Sequence, residues 1–215
     1  MTKIGLFAIG LDVYWDQFEG LKNRLSGYLS VVEEKLKIHE AEVINAGMID
    51  TEQKAAEAGH FFRQADVDLI FLYVMTYALS STVLPVVRRA KVPGIRLNLS
   101  PESSIDYDRF NRMDDRQKMT GEWLAHCAAC PAPEIANVFR RAGIQFYQIS
   151  GMLHDDPECW DEVYEWIEAS RVAEIMEHNR MGLMGHYYSG MLNIYTDLTL
   201  QMITFRQIQC WNYIK

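Results

Sequence analysis

The sequence predicts an α/β protein, a three-layer αβα domain built on a parallel sheet in the Rossmann or flavodoxin-like style. The main observation is the segment 67–81, VDLIFLYVMTYALSS, which opens with an unbroken apolar run. That run is too short to span a membrane and too continuous for a half-exposed strand, so it indicates a strand buried on both faces. Strand and helix patterns also alternate along the chain, which is typical of a parallel, right-handed α/β layer.

Two strands and two helices are expected before this central strand. Their approximate bounds are 3–9, 16–36, 42–46 and 51–64. Asp16 is the expected N-cap of the first helix, and Thr51 begins the second, because short polar side chains accept hydrogen bonds from the first free amides of a helix. The spacing predicts that Phe61 and Phe62 both face the core.

The alternation continues after the central strand. The expected helices are 81–90, 117–129, 134–142 and 157–178, and the expected strands are 92–99 and 144–149. Ser80 or Ser81 is the predicted cap of the first of these helices, and Pro85 lies in its first turn, where the missing N–H is harmless. Ile175 is predicted to face inward from the long last helix.

Residues 180–185 begin a further strand, either the sixth of the sheet or the first of a new domain. We therefore expect two domains, a Rossmann-like domain over 1–178 and the start of a second, truncated domain over 179–215.

Composition limits the classes of function. The chain has 215 residues, 49% of them hydrophobic and 23% charged, with a formal net charge of -8. A net negative charge argues against nucleic acid and anionic membrane as partners, since both need a basic face. The sequence has no signal segment and no apolar run long enough to cross a membrane, so we expect a cytoplasmic protein.

The loops that follow the first and third strands carry the candidate binding residues. Asp12, Tyr14 and Trp15 follow the first strand, and Thr76 and Tyr77 follow the third. Ligands of open α/β sheets bind outside the carboxyl ends of the strands. Tyr14 and Trp15 could stack on a polyol or could merely cover the end of the sheet. The chain has no GxGxxG or GxxxxGK[ST] motif, which argues against a dinucleotide or nucleoside triphosphate.

Cys127-Ala-Ala-Cys130, preceded by His126, permits three interpretations. It could be half of a metal site or a redox pair, but a second pair of metal ligands at a suitable spacing is not evident. We favour a pair of ordinary buried thiols. His186 is the best-placed histidine, yet one histidine without a neighbouring carboxylate is more often structural or exposed.

Five segments together resemble one family. They are IGLF at 4–7, GLDVYW at 10–15, FLYVMTYALSSTVLPV at 71–86, TGEWL at 120–124 and GMLNIYTD at 190–197. Their order and character resemble the amino-terminal part of L-arabinose isomerase-like proteins, in the L-fucose/L-arabinose isomerase superfamily. The resemblance covers roughly residues 3–202.

The resemblance implies an oligomeric, three-domain enzyme that interconverts an aldose and a ketose, with a divalent metal, commonly manganese, stabilising the ene-diol. The amino-terminal domain lends substrate-binding loops to the site. By the resemblance, the substrate-binding residues are Asp12, Tyr14, Trp15, Thr76, Tyr77, Lys118 and Met191. Lys118 falls about where the family can have a substrate-contacting histidine.

The family's metal ligands lie beyond residue 215, and residues 205–215 do not continue its pattern. We therefore expect a truncated or frameshifted fragment that binds no metal, carries no catalytic residue and does not isomerise sugars alone. A small-molecule sugar and a homo-oligomer are the expected partners. The alternative is a stand-alone domain that binds a sugar or another small ligand, or one that serves only in assembly.

Overall fold

The structure is a computed structural model that describes residues 1–37, 41–178, 180–184, 197, 199 and 207–211. It contains two compact units, residues 1–167 and residues 168–215. None of the described helices combines the length and the apolarity that crossing a bilayer requires.

Five strands and seven helices are described from residue 1 to residue 178. The strands are β1 (Lys3–Ile9), β2 (Glu42–Ile49), β3 (Leu69–Val74), β4 (Gly94–Ser100) and β5 (Phe146–Met152). The helices are α1 (Leu21–Leu36), α2 (Glu52–Ala65), α3 (Leu84–Ala90), α4 (Tyr107–Asn111), α5 (Arg116–Leu124), α6 (Ala132–Arg141) and α7 (Pro157–His178).

The five strands form one parallel sheet in the order β2-β1-β3-β4-β5. This order is that of flavodoxin-like folds, in which the direction of sheet growth reverses between β1 and β3. In such folds the connections that leave these two strands diverge, and ligands bind in the crevice outside the carboxyl ends of the strands. The predicted fold class is therefore confirmed.

Helices cover both faces of the sheet and make three layers. On one face α1 and α7 bury side chains such as Leu25, Val32 and Val163 against β1, β3 and β4. On the other face α2, α3 and α6 bury side chains such as Phe62 and Phe139. All six residues of β3 are buried, as the unbroken apolar run predicted.

The structure corrects two predicted helix starts. Asp16 does not cap α1, which begins at Leu21 after Gly20, a glycine with a left-handed φ of 80°. Ser80 and Ser81 lie in a short 3₁₀ turn, and Val83 precedes α3 without a side-chain cap. Thr51 caps α2 as predicted, since its hydroxyl accepts a hydrogen bond from the amide of Lys54.

Two predicted inward positions are also wrong. Phe61 is 45% exposed and Ile175 is 48% exposed, whereas Phe62 is fully buried. Adjacent residues of a helix point about 100° apart, so only one of two neighbouring phenylalanines can face the sheet squarely.

In the second unit, residues Arg180–Met184 form β6 and residues Gln207–Trp211 form β7. These strands pair in parallel in a two-stranded sheet. Within the described residues, β6 is therefore not the sixth strand of the main sheet.

Candidate functional site at the carboxyl edge of the sheet

The loop after β1 forms an aromatic cluster beside the end of the sheet. It opens with a 3₁₀ turn, Asp12–Tyr14, in which the Asp12 carboxylate accepts the amide hydrogen of Val13 at 2.8 Å. The half-buried ring of Tyr14 packs edge-on against Phe18, with 5.7 Å between ring centroids, and against Trp15. Asp12 is exposed, so its outer carboxylate edge remains open to solvent.

Trp15 is held from two sides. Its indole Nε1 donates a hydrogen bond to the Asp50 carboxylate, 2.9 Å away, directly after β2. A Cβ atom on Gly10 would lie 2.7 Å from the indole Cζ2, so the ring packs directly on the Gly10 backbone. These contacts favour the second of the two predicted roles for Trp15, covering the end of the sheet.

The two residues after β3 have different environments. Thr76 is 0% exposed, and its hydroxyl donates to the Leu124 carbonyl at 2.8 Å, which ties the end of β3 to α5. Tyr77 is 38% exposed. Thr76 thus has a structural role, whereas Tyr77 keeps a surface for a ligand.

Tyr14 lies close to Tyr77 and to the Cys127–Cys130 pair. Burial raises the pKa of Tyr14, and the neighbouring charges of Tyr77, Cys127 and Cys130 in their ionised forms raise it further. Tyr14, in the loop after β1, is therefore near enough to Tyr77, in the loop after β3, for their charges to interact.

A cavity of about 390 Å³ lies between the loop after β1, the start of α1 and α5. Polar side chains and one aromatic ring line much of its wall: Gln17, Phe18, Arg24, Asp115, Lys118 and Glu122. Lys118 is the predicted site residue found in this wall. Asp12, Tyr14 and Tyr77 do not line it.

An ion pair lies in the cavity wall. Arg24 Nη1 and Glu122 Oε2 are 2.7 Å apart, and their side chains are 32% and 19% exposed. Arg24 Nε also donates to the Tyr28 hydroxyl at 2.6 Å. Burial lowers the pKa of Arg24, but hydrogen bonds to Glu122 and Tyr28 outweigh that effect and leave the pKa raised. The cavity therefore presents a fixed guanidinium and carboxylate side by side.

His126 and Tyr73 carry buried polar atoms near this ion pair. His126 Nδ1 lies 3.1 Å from the Glu122 carbonyl, which assigns the ring hydrogen to Nδ1, and Nε2 lies 3.4 Å from Glu102. The Tyr73 hydroxyl and His126 Nε2 are buried without a hydrogen-bond partner among the described residues. Burial and the Arg24 charge lower the pKa of His126, against the opposing charges of Glu102 and Glu122.

The described ranges contain no group of three or more histidine, cysteine or acidic side chains that could hold a metal ion. The manganese implied by the family resemblance stays an expectation. The predicted site residue Met191, like His186, lies outside the described residues.

Sequence reasoning missed Arg24, Tyr28 and Glu122. The spacing of Arg24 and Tyr28 places them on one face of α1, and Glu122 belongs to the TGEWL segment that contributes to the family resemblance. Neither of these two sequence features indicates that residues 24 and 122 contact each other.

No model of a known protein family matches the chain, and no curated protein matches it. Among solved structures, the chain is similar to the crystal structure of a LacI family transcriptional regulator from Silicibacter pomeroyi. The identity is 12%, the match covers 84% of this chain and 68% of that chain, and the TM-score is 0.26. Similarity at this level carries no argument about function, and the fold rests on the strand order given above.

Proposed function

We propose that the chain is the amino-terminal domain of an aldose–ketose isomerase resembling L-arabinose isomerase, and that its carboxyl-edge loops bind the hydroxyl groups of a sugar. The observation that carries this proposal is the polar cavity with the Arg24–Glu122 ion pair in its wall. The carboxyl edge is where open α/β sheets bind their ligands.

The chemistry of the cavity suits a polyol. Each sugar hydroxyl both donates and accepts, so a site needs donors and acceptors in alternation. Glu122 offers carboxylate oxygens, Arg24 and Lys118 offer N–H donors, and Gln17 offers an amide. The Phe18 ring supplies an apolar face for the C–H groups of a sugar ring. The volume of about 390 Å³ lies near the lower end of the range of small-ligand sites.

In this proposal the ion pair binds and orients the sugar, and neither residue moves the proton. The Arg24 guanidinium and the Glu122 carboxylate lie in contact with each other. Glu122 can therefore accept a hydrogen bond from one sugar hydroxyl while Arg24 donates to the oxygen of the adjacent hydroxyl. Tyr77, exposed at the nearby end of β3, contacts the part of the substrate that extends beyond the cavity. The metal of the full-length family enzyme, when bound, supplies charge stabilisation of the ene-diol.

An assembly role is the second candidate, because several large aromatic side chains are exposed in the first unit. β5 ends the five-stranded sheet, and Tyr147 on it is 46% exposed. Trp123 and Tyr107 are also exposed, and large aromatic side chains are enriched at interfaces between subunits.

Isothermal titration of the full chain with L-arabinose, L-fucose and D-xylose tests the binding proposal. We expect saturable binding of at least one sugar, and we expect Glu122→Gln to weaken it by about tenfold, since a hydrogen bond to a charged group contributes about 1.5–3 kcal/mol. Glu57→Gln is the matched control, because Glu57 is exposed on α2, on the opposite face of the sheet.

No heat with any sugar, or equal weakening in both variants, would contradict the binding proposal. Sedimentation that reveals self-association of the chain, together with a melting temperature that no sugar shifts, would favour the assembly role instead.

A further inference from the structure

Cys127 and Cys130 form a close pair of thiols at the carboxyl edge of the sheet. Their Sγ atoms lie 2.7 Å apart. Residues Cys127–Ala129 form a 3₁₀ turn, and Cys130 follows with a helical backbone. Side chains three positions apart eclipse each other in this conformation, which places the two thiols together. A disulfide bond of about 2.05 Å therefore requires only a small approach of the two sulfurs.

The two sulfurs differ in accessibility. Cys127 is 3% exposed, whereas Cys130 is exposed. Burial, together with the hydrogen bond to Cys130, raises the pKa of Cys127 to about 12. Cys130 immediately precedes Pro131 and the amino-terminal end of α6. Cys130 can therefore react with an external reagent, whereas Cys127 can react only with Cys130.

We propose that Cys127 and Cys130 form a redox-active dithiol that exchanges with external disulfides, with Cys130 as the attacking sulfur and Cys127 as the resolving sulfur. The substrate class is a small disulfide or an accessible protein disulfide. The expectation that both thiols are buried is correct for Cys127 and wrong for Cys130.

The exchange takes place in two balanced steps. The Cys130 thiolate attacks one sulfur of the external disulfide, forms a mixed disulfide and releases the other sulfur as a thiolate, which takes up a proton. Cys127 then gives its proton to water and attacks the Cys130 sulfur, which releases the second external thiol. The external disulfide gains two electrons and two protons, and the cysteine pair becomes a disulfide.

The two alternative interpretations, half of a metal site and a pair of ordinary buried thiols, fit the structure less well than a redox-active pair. A metal site needs further ligands, and the described residues place no third donor group with these two sulfurs. His126 turns Nδ1 toward the Glu122 carbonyl and Nε2 toward Glu102, so it does not supply one. Cys159 is an ordinary core thiol, since it is buried and its pKa is raised to about 11 by burial.

Peptide mapping of the full chain tests the inference. The reduced protein is incubated under native conditions with glutathione disulfide, quenched with acid, alkylated and cleaved with trypsin. Cleavage after Lys118 and Arg140 releases one peptide that contains both cysteines, while Cys159 lies in another peptide. We expect the first peptide to become lighter by two hydrogens without alkylation, and dithiothreitol to reverse the change. Cys159 should stay reduced and serves as the internal control.

Two variants separate the roles of the sulfurs. In Cys127→Ser, the reaction should stop at a glutathione adduct on Cys130. In Cys130→Ser, no adduct should form on the buried Cys127. If circular dichroism reveals that a variant does not fold, the rates of cysteine alkylation in the wild-type protein identify the attacking sulfur instead. Cys130 should then react at least about tenfold faster than Cys127 or Cys159.

Failure of the native pair to form a disulfide would overturn the proposal. So would adduct formation on Cys127 as rapid as on Cys130, or oxidation of the pair no faster than modification of Cys159.

Discussion

The Asp50 carboxylate accepts a hydrogen bond from the indole Nε1 of Trp15, with 2.9 Å between the two atoms. Asp50 directly follows β2, and Trp15 lies in the loop after β1, so the bond joins the ends of two adjacent strands. Gln17 and Phe18, which line the cavity, follow Trp15 within three residues. The Asp50–Trp15 contact therefore fixes the loop that forms one wall of the candidate site.

Asp50→Asn should destabilise the protein and remove part of its acid sensitivity. Burial alone raises the pKa of Asp50, but hydrogen bonds from Lys54 and Trp15 outweigh burial and hold the pKa below its usual value. The carboxylate therefore stabilises the fold above the unfolded-state pKa of about 3.9, and this stabilisation is lost as the pH falls through the folded-state value. We expect Asp50→Asn to cost about 1–3 kcal/mol at pH 7 in urea unfolding.

Asp16→Asn is the control for this prediction, because Asp16 lies exposed in the same loop and should change stability by less than about 0.5 kcal/mol. Equal changes in stability from the two substitutions would contradict this prediction. So would a free energy of unfolding that falls no more steeply in acid for the wild type than for Asp50→Asn.

Gly10→Ala should displace the Trp15 ring. A Cβ atom there would lie 2.7 Å and 2.9 Å from two indole carbons, a clash that only movement of the ring relieves. We expect a loss of about 1–3 kcal/mol in the free energy of unfolding and a changed tryptophan emission.

Gly27→Ala is the matched control for Gly10→Ala. Gly27 lies within α1, and a Cβ atom there meets open space, so the substitution should stabilise the protein by about 0.5–1 kcal/mol. A Gly10→Ala protein as stable as the wild type would show that the Trp15 ring can move without cost.

His126 should make the protein less stable as the pH falls from neutrality. Burial and Arg24 lower the pKa of His126, so the folded state keeps it neutral while the unfolded state takes up a proton near pH 6.5. The free energy of unfolding therefore falls as the pH drops through about 6.5, by at most about 1.4 kcal/mol per pH unit for this one group. His126→Asn should reduce that slope.

Urea unfolding of both proteins at several pH values between neutrality and mild acid measures the difference. An unchanged or steeper slope in His126→Asn would contradict a lowered pKa for His126.

The fold could be predicted from sequence because its main signals are local. The apolar run of β3 requires burial on both faces, and the alternation of strands and helices implies parallel strands. The start of α1 could not be predicted, because Asp16 has the residue type of a cap while the loop conformation depends on the Trp15–Asp50 contact, 35 positions apart.

The site was predictable only in part, because its main ion pair also joins residues that lie far apart in the sequence. The strand order brings the loops with Tyr14 and Tyr77 together, and the position of these residues after strands was visible in the sequence. The Arg24–Glu122 pair joins residues separated by 98 positions, and neither residue belongs to a motif that requires the other. Thr76 has the residue type of a ligand contact, but its hydroxyl is bonded to Leu124.

The cavity beside the Arg24–Glu122 pair is the proposed sugar-binding site. The most direct test is a two-dimensional amide NMR titration of the full chain with L-arabinose up to about 10 mM, followed by the other sugars. We predict saturable shifts grouped in residues 17–24 and 117–122, with about tenfold weaker binding in Glu122→Gln and unchanged binding in Glu57→Gln. Shifts confined to other surfaces, such as the exposed face of β5, or no saturable shift with any sugar, would contradict it.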